Sequence, residues 1–198
     1  MKENAWNTYT DEDLEMMDAL IQGYKFFLDH GKTERECVRQ MISTARQCGY
    51  VSMEDVIRTG QPLRAGNKVY AQTKGKAVMF INIGLFPMEE GLNILGAHID
   101  SPRLDLKQNP FYEDTELAYM DTHYYGGIKK YQWVTLPLAL HGTIVKKDGS
   151  HVEINIGEDE KDPVFGVTDL LVHLSAKQLE KKGAVVVEGE NLDILVGS

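Results

Sequence analysis

Apolar residues recur at helical spacing through the N-terminal third of the chain. The first stripe follows Thr10 and Asp13, which are spaced as in a capping box. A second box, Thr33 with Glu36, predicts another helix, and Ser52 predicts the start of a short third helix. The first stripe consists of Leu14, Met17, Ile21, Tyr24 and Leu28. This part of the chain is therefore predicted to be helical.

Shorter apolar runs follow, with the length and spacing of strands. A turn at Lys74-Gly75 predicts a hairpin between residues 68 and 84. The run Leu92–Ala97 is almost continuously apolar, which is typical of a strand covered on both faces of a sheet. Helices followed by buried strands indicate an α/β fold.

The second half of the chain has its own pattern. Asp148-Gly149 predicts a hairpin turn, and the alternation over 151–156 predicts a strand with one buried face. Leucines at helical spacing predict a helix over about 168–182. Because the composition shifts towards tyrosine after residue 110, we place the domain boundary between 1–107 and 108–198.

Composition excludes several classes of protein. The chain has 198 residues, 42% of them hydrophobic, which is enough to bury a substantial core. It carries 21 Lys and Arg against 30 Asp and Glu, a net charge of -9, and lacks the basic face that a general nucleic-acid binder needs. No apolar run approaches the roughly 18 residues that cross a bilayer, and residues 1–10 do not resemble a signal peptide. We expect a cytoplasmic protein with neither nucleic-acid nor membrane partners.

The two cysteines, Cys37 and Cys48, fall in one predicted helix. Their Cα atoms would lie about 16 Å apart along it. Bridged cysteines lie within about 7 Å, so these two are predicted not to pair, which fits a reducing cytoplasm. Two cysteines also exclude a cysteine-rich zinc module, and any metal would bind His, Asp or Glu.

The segment Gly96–Pro102 carries the most informative side chains. It ends a predicted strand, so we expect His98 at the carboxyl end of that strand, where ligands bind in open α/β sheets. Residues two apart in extended backbone project to the same side, which brings Asp100 to His98. A carboxylate bonded to one imidazole nitrogen leaves the other free to bind a metal. The same pair could instead cap a loop through backbone groups, and the spacing alone leaves both interpretations open.

His173 lies on an otherwise apolar face of the helix predicted for residues 168–182, one turn after Leu170. One interpretation is a hydrogen-bonded histidine in the core or at an interface. The other is a histidine that contributes to a site built between subunits.

The segment Gly96–Pro102, followed by Leu104, Leu106 and Lys107, resembles the first metal motif of the M18 family of zinc aminopeptidases, the aspartyl aminopeptidase group. Further matches follow in the family's order: Tyr125-Gly126-Gly127 before Trp133, Leu138 with Leu140 and Gly142, and the segment Val167–Leu174 that carries His173. The resemblance covers nearly the whole chain.

This resemblance implies an α/β fold, with the N-terminal part of a zinc-peptidase α/β/α domain in residues 1–107 and a smaller β-rich inserted dimerisation domain in 108–198. It implies that His98 ligates one of two zinc ions, that Asp100 orients His98, and that His173 lies near the substrate site of a partner subunit. The implied substrates are peptides, from which N-terminal residues are released. In the family reaction, a water bridging two metals attacks the scissile carbonyl and a glutamate acts as general base. The implied assembly is a homo-oligomer built from dimers.

Two departures from the family pattern change the expectation. Trp133–Pro137 stands where members specific for acidic residues carry Trp-Phe-Asp-Arg-Asp, so a preference for acidic N-terminal residues is in doubt. Family members are also much longer, and their remaining metal ligands lie beyond the last residue of this chain. A catalytic zinc commonly has three protein ligands, so we expect an N-terminal portion that does not complete the site unaided.

Two other hypotheses belong to different classes. A truncated relative that keeps the dimer-forming domain would be a non-catalytic assembly or interaction module, and unpaired strand edges would favour its association. An α/β hydrolase without metal is disfavoured, because no Gly-x-Ser-x-Gly elbow occurs in the sequence.

Overall fold

The structure is a computed structural model that describes residues 3–198. Met1 and Lys2, on which the signal-peptide expectation partly rests, lie outside the described residues. The helices are α1 (Asp11–His30), α2 (Glu34–Gln47), α3 (Met53–Thr59) and α4 (Ala176–Leu179). The strands are β1 (Val51–Ser52), β2 (Lys68–Thr73), β3 (Ala77–Asn82), β4 (Arg103–Asp114), β5 (Leu117–Tyr125), β6 (Leu140–Val145), β7 (His151–Ile156) and β8 (Ile194–Gly197). The predicted mixture of helices and strands is confirmed.

The chain divides into two compact units, Met1–Asp100 and Ser101–Ser198. The boundary expected after residue 107 falls inside β4. The division comes earlier because β4 is hydrogen-bonded to β5 from Arg103 onward, and β5 belongs to the second unit.

In the first unit, α1 and α2 each begin at a complete capping box, as predicted. The Thr10 N–H donates to the Asp13 carboxylate at 2.9 Å, and the Asp13 N–H donates to the Thr10 hydroxyl at 3.2 Å. Thr33 and Glu36 form the same pair of bonds at 2.8 and 3.3 Å. Each box satisfies backbone N–H groups that the helix itself leaves unpaired.

Burial in the first unit is concentrated on α2 and β2. The buried side chains of α2 are Cys37, Val38 and Ala45, whereas α1 has none among the described residues. In β2, Val69 is fully buried, and the Tyr70 hydroxyl accepts a hydrogen bond from the Arg46 guanidinium at 2.6 Å. Both cysteines have free thiols, in agreement with the prediction.

The sheet of the first unit has the order β1-β2-β3, with β1 parallel to β2 and β3 antiparallel to it. The predicted hairpin is confirmed, and Gly75 in its turn has φ +66°, in the left-handed region that glycine adopts without strain. No helix within residues 3–198 is both long and apolar enough to span a membrane.

The strand predicted over Leu92–Ala97 is wrong. Residues 91–102 contain neither helix nor strand, and Ile94 and Leu95 are 81% and 100% exposed. A strand requires a neighbour that pairs with its backbone N–H and C=O groups. In the described part of the first unit the sheet consists of β1, β2 and β3 only, so this apolar run has no strand to pair with. The expected position of His98 at a strand end is wrong for the same reason.

The second unit contains an antiparallel sheet of order β4-β5-β8 and a separate β6-β7 hairpin. The β4-β5 register runs from Arg103 opposite Tyr125 to Asp114 opposite Leu117, with an irregularity between Leu106 and Phe111. The hairpin turn predicted at Asp148-Gly149 is confirmed.

The core of the second unit is assembled from β5, β8 and the loops between them. Leu192 is fully buried, and its carbonyl accepts a hydrogen bond from the buried Thr122 hydroxyl at 2.6 Å. Asp193 accepts one from the Tyr112 hydroxyl at 2.6 Å, which raises the pKa of Tyr112. The buried apolar side chains are Met120, Phe165, Val167, Val187, Leu192 and Ile194. These contacts fasten the segment before β8 to the sheet.

The helix predicted over residues 168–182 is wrong for most of its length, because only α4 is helical there. His173 instead stands in a turn, where the Leu174 N–H donates to the Leu171 carbonyl at 2.8 Å. Leu170, Leu171 and Leu174 are 55%, 72% and 69% exposed. A helix this short is stabilised mainly by packing of its apolar face. In the described chain these leucines remain exposed, so that packing is missing.

We expect Leu192→Ala to lower the free energy of unfolding of the second unit by about 2 to 5 kcal/mol, because it opens a cavity in a closed core. Leu171→Ala, the matched control on the exposed turn, should change that free energy by no more than about 0.5 kcal/mol. Urea denaturation followed by tryptophan fluorescence measures both. Equal effects of the two variants would contradict this account of the core.

Candidate metal-ligand segment

His98 and Asp100 lie together in the irregular segment that precedes β4. The Nδ1 atom of His98 is 3.1 Å from Oδ1 of Asp100 and 3.1 Å from its backbone carbonyl oxygen. The His98 side chain is 84% exposed and the Asp100 side chain 38%. The two-residue spacing therefore brings the pair together, as the sequence predicts, although the backbone is not part of a strand.

The two partners of Nδ1 decide which nitrogen of His98 can bind a metal. A backbone carbonyl only accepts hydrogen bonds, and an ionised carboxylate does the same. Nδ1 must therefore be the donor and carry the proton, which leaves the lone pair of the neutral ring on Nε2. Because the side chain is exposed, Nε2 is available as a metal ligand.

Within the second unit, the structure brings two of the sequence motifs close together. Pro102, the last residue of the motif that contains His98, is the nearest neighbour that a side chain on Gly126 of the Tyr-Gly-Gly element would meet. A Cβ on Gly126 would stand 3.5 Å from the Cα and Cγ atoms of Pro102, an ordinary contact distance. The φ of +77°, rather than lack of space, is the reason for glycine at this position.

His98 and Asp100 are the candidate metal-ligand pair among the described residues. Within residues 3–198, no group of three or more His, Cys, Asp or Glu side chains is arranged to hold a metal ion. Catalytic zinc commonly takes three protein ligands, one of which is often a histidine held by a carboxylate. His98 with Asp100 fits one position of such a donor set, and the remaining positions require other residues.

His173 is exposed, on the turn between Leu171 and Leu174. The interpretation of a histidine buried in the core of this chain is therefore wrong. Exposure is compatible with the two remaining interpretations, a histidine at an interface and a histidine that contributes to a site built between subunits.

The segment Trp133–Pro137 contains no charged side chain. Trp133 and Val134 pack against the core of the second unit, and the Thr135 N–H donates to the Val167 carbonyl at 2.8 Å. Thr135 has φ +62°, so the chain turns sharply there. The segment thus serves packing and offers no ionic group to a substrate.

Sequence reasoning noted Lys107 only as part of a motif and missed its contacts. Its ammonium group lies 2.9 Å from the carboxylates of both Asp121 and Glu190, and these two hydrogen bonds raise the pKa of Lys107. The three charges connect β4, β5 and the turn before β8. Glu190 lies far from Lys107 in the sequence, so the pairing could not be predicted from spacing. The presence of Lys107 in the motif was the only sequence feature that pointed to this cluster.

Comparison with known proteins identifies relatives for most of the chain. A family model described as aminopeptidase I zinc metalloprotease (M18) matches residues 27–196. The probable M18 family aminopeptidase 1 of Clostridium acetobutylicum is 59% identical over 195 residues, which cover 98% of this chain and 42% of that protein. The probable M18 family aminopeptidase 1 of Thermotoga maritima is 40% identical over 197 residues, with 100% and 42% coverage.

Solved structures agree with these relatives. The crystal structure of the Thermotoga maritima M18 aminopeptidase matches with a TM-score of 0.89 at 39% identity, covering all of this chain and 42% of that one. The crystal structure of aminopeptidase I from Clostridium acetobutylicum matches with a TM-score of 0.85 at 56% identity, covering 99% and 43%. The chain thus spans less than half the length of the relatives it matches.

We expect Asp100→Ala to lower the fraction of His98 rings protonated at Nδ1, because the variant removes the stronger of its two acceptors. Nitrogen-15 NMR of the imidazole rings, recorded at alkaline pH, measures this fraction. His30 is the internal control, since its Nδ1 lies 2.9 Å from the Phe26 carbonyl, far along the chain from Asp100. An unchanged His98 spectrum would show that Asp100 does not set the tautomer.

Proposed function

The chain belongs to the M18 family of zinc metalloproteases, and on this premise we propose that it forms the N-terminal portion of a metallo-aminopeptidase that releases N-terminal residues from peptides. The observation that carries the proposal is the bond from His98 Nδ1 to Asp100, which leaves Nε2 exposed for a metal. The curated relatives that support the activity are more than twice as long as the chain.

In this proposal the predicted domain roles are retained. Residues 1–107 belong to a peptidase domain, and 108–198 to an inserted dimerisation domain. The proposal is supported by the division of the chain into two compact units between Asp100 and Ser101, close to this boundary. The partition into catalytic and dimerising roles rests on the family resemblance.

His98 would hold one of two zinc ions through Nε2. Bound zinc would polarise the scissile carbonyl and lower the pKa of a coordinated water. Asp100 would keep the proton of His98 on Nδ1 and restrain rotation of the ring, so that Nε2 is oriented for the metal. The other ligands and the general base would come from residues outside the described set, because that set contains no three-ligand cluster.

We further propose a homo-oligomer built from dimers, in which a partner subunit covers the turn that carries His173. The support is the exposed group of leucines around that histidine, which is costly to leave in water. In such a dimer His173 would stand at the substrate site of the partner.

The substrate preference follows from a missing charge. Recognition of an acidic N-terminal residue requires a cationic partner for its carboxylate. Trp133–Pro137, the segment that replaces the charged sequence of acidic-specific members, has none. We therefore propose no preference for N-terminal Asp or Glu.

A non-catalytic assembly module is the second candidate function. The absence of a three-ligand group among residues 3–198 is the observation that favours it. This candidate predicts that no form of the protein binds zinc stoichiometrically or cleaves peptides, whereas the aminopeptidase proposal predicts both for a protein of the relatives' length.

The test compares this chain with a form extended to the length of its relatives. After dialysis against a chelator and reloading with zinc, we expect about two zinc ions per chain in the extended form and none retained by the 198-residue chain. The extended form should cleave leucine amide at least as well as aspartate amide. Elemental analysis and an amine-release assay give these results.

Within the extended form, His98→Ala should lose zinc and at least about 10²-fold in rate, because a ligand is removed. His30→Ala, at the exposed end of α1, is the matched control and should retain both. An extended form that is inert and free of zinc would refute the peptidase proposal. Stoichiometric zinc in the short chain would refute the claim that this portion is incomplete.

A further inference from the structure

Arg103, the first residue of β4, contacts a carboxylate, a backbone carbonyl and an aromatic ring of the second unit. Its Nε donates to the Asp105 carboxylate at 2.7 Å, and Nη1 donates to the Ser101 carbonyl at 3.4 Å. Its guanidinium carbon lies 4.3 Å from the centre of the Tyr125 ring. The side chain is only 30% exposed, so these contacts are partly shielded from water.

The register of the sheet brings these groups together. Arg103 stands directly opposite Tyr125 in the β4-β5 ladder, and cross-strand neighbours on one face of a sheet contact each other. Ser101, Arg103 and Asp105 alternate by two, so extended backbone directs them to the same side. A planar guanidinium is suited to this position, because it stacks on the ring while its edge donates hydrogen bonds.

The Ser101 carbonyl belongs to the peptide bond that joins Ser101 to Pro102. Arg103 thus donates a hydrogen bond to the oxygen of this peptide group. Proline fixes its own φ and restricts the residue before it to extended conformations. The chain that immediately follows Asp100 is therefore restrained by the ring of Pro102 and by the hydrogen bond from Arg103.

We propose that Arg103 is a positioning residue for the metal-ligand segment Gly96–Pro102. By fixing the Ser101-Pro102 peptide, it restricts the backbone conformations open to Asp100 and so holds the Asp100 carbonyl and carboxylate where both accept from His98 Nδ1. Its relevance to zinc rests on the proposed function, whereas its effect on His98 is a property of the metal-free chain.

The alternative is that Arg103 forms only an ordinary surface ion pair, and this alternative predicts a different result. Arg58 and Asp55 form such a pair at 2.6 Å on α3, with side chains 75% and 59% exposed. Exposed pairs of this kind contribute little to the stability of the fold. Arg103 differs because its guanidinium is shared among a ring, a carboxylate and a backbone carbonyl. Arg58→Ala is therefore the matched control for Arg103→Ala.

The test uses the 198-residue chain without metal and reads His98 by nitrogen-15 NMR at alkaline pH. In Arg103→Ala we expect the fraction of rings protonated at Nδ1 to fall towards the value of a histidine in an unstructured peptide. Backbone order parameters at Ser101 and Arg103 should fall from about 0.85 towards about 0.6. Arg58→Ala should change neither quantity, and Arg103→Lys, which keeps the cation without the planar group, should give intermediate values.

Tyr125→Leu provides a second route, since it removes the ring and leaves β5 able to pair, and it should reproduce the effect of Arg103→Ala. Circular dichroism checks that each variant is folded. If Arg103→Ala is unfolded, the His98 spectra of Tyr125→Leu and Arg103→Lys test whether Arg103 sets the tautomer. An unchanged His98 tautomer in folded Arg103 and Tyr125 variants would overturn the proposal, as would an equal change in Arg58→Ala. Because no zinc is present, a failure of the aminopeptidase proposal would appear in the zinc and activity assays and not in these spectra.

Discussion

The pairing of β4 with β5 is the constraint on which the second unit depends. It begins at Arg103 opposite Tyr125, directly after the candidate metal-ligand segment, and continues to the turn beyond Asp114. β8 adds to the other edge of β5, and the residues before β8 close the core through Leu192 and its bond to Thr122. The β4-β5 hairpin therefore determines the packing of this unit and also fixes the chain directly after the segment that carries the candidate ligand.

The candidate site combines local geometry with longer-range support. The bond between His98 and Asp100 needs only a spacing of two residues. The conformation of the chain after Asp100 depends on its contact with β5, where the Tyr125 ring packs against the Arg103 guanidinium. A ligand positioned in this way loses less conformational freedom when a metal binds.

Sequence alone predicted what local physics determines. The two capping boxes, both hairpin turns and the contact of His98 with Asp100 depend on residues close in sequence. The strand over Leu92–Ala97 and the long helix after Thr168 were predicted from apolar pattern, and both need partners that the described residues do not provide. Arg103 with Tyr125, and Lys107 with Glu190, were not predictable, because their contacts follow from strand register and loop placement.

The central claim is that His98 binds metal through Nε2 while Asp100 holds Nδ1. Cadmium-113 in place of zinc, in a form of the protein extended to the length of its relatives, tests it by proton–cadmium correlation NMR. Coordination by Nε2 places both ring C–H protons three bonds from the metal, so the account predicts correlations from cadmium to both protons of His98. A correlation to the proton between the two nitrogens alone would indicate Nδ1 coordination, and the absence of any correlation to His98 would contradict the account.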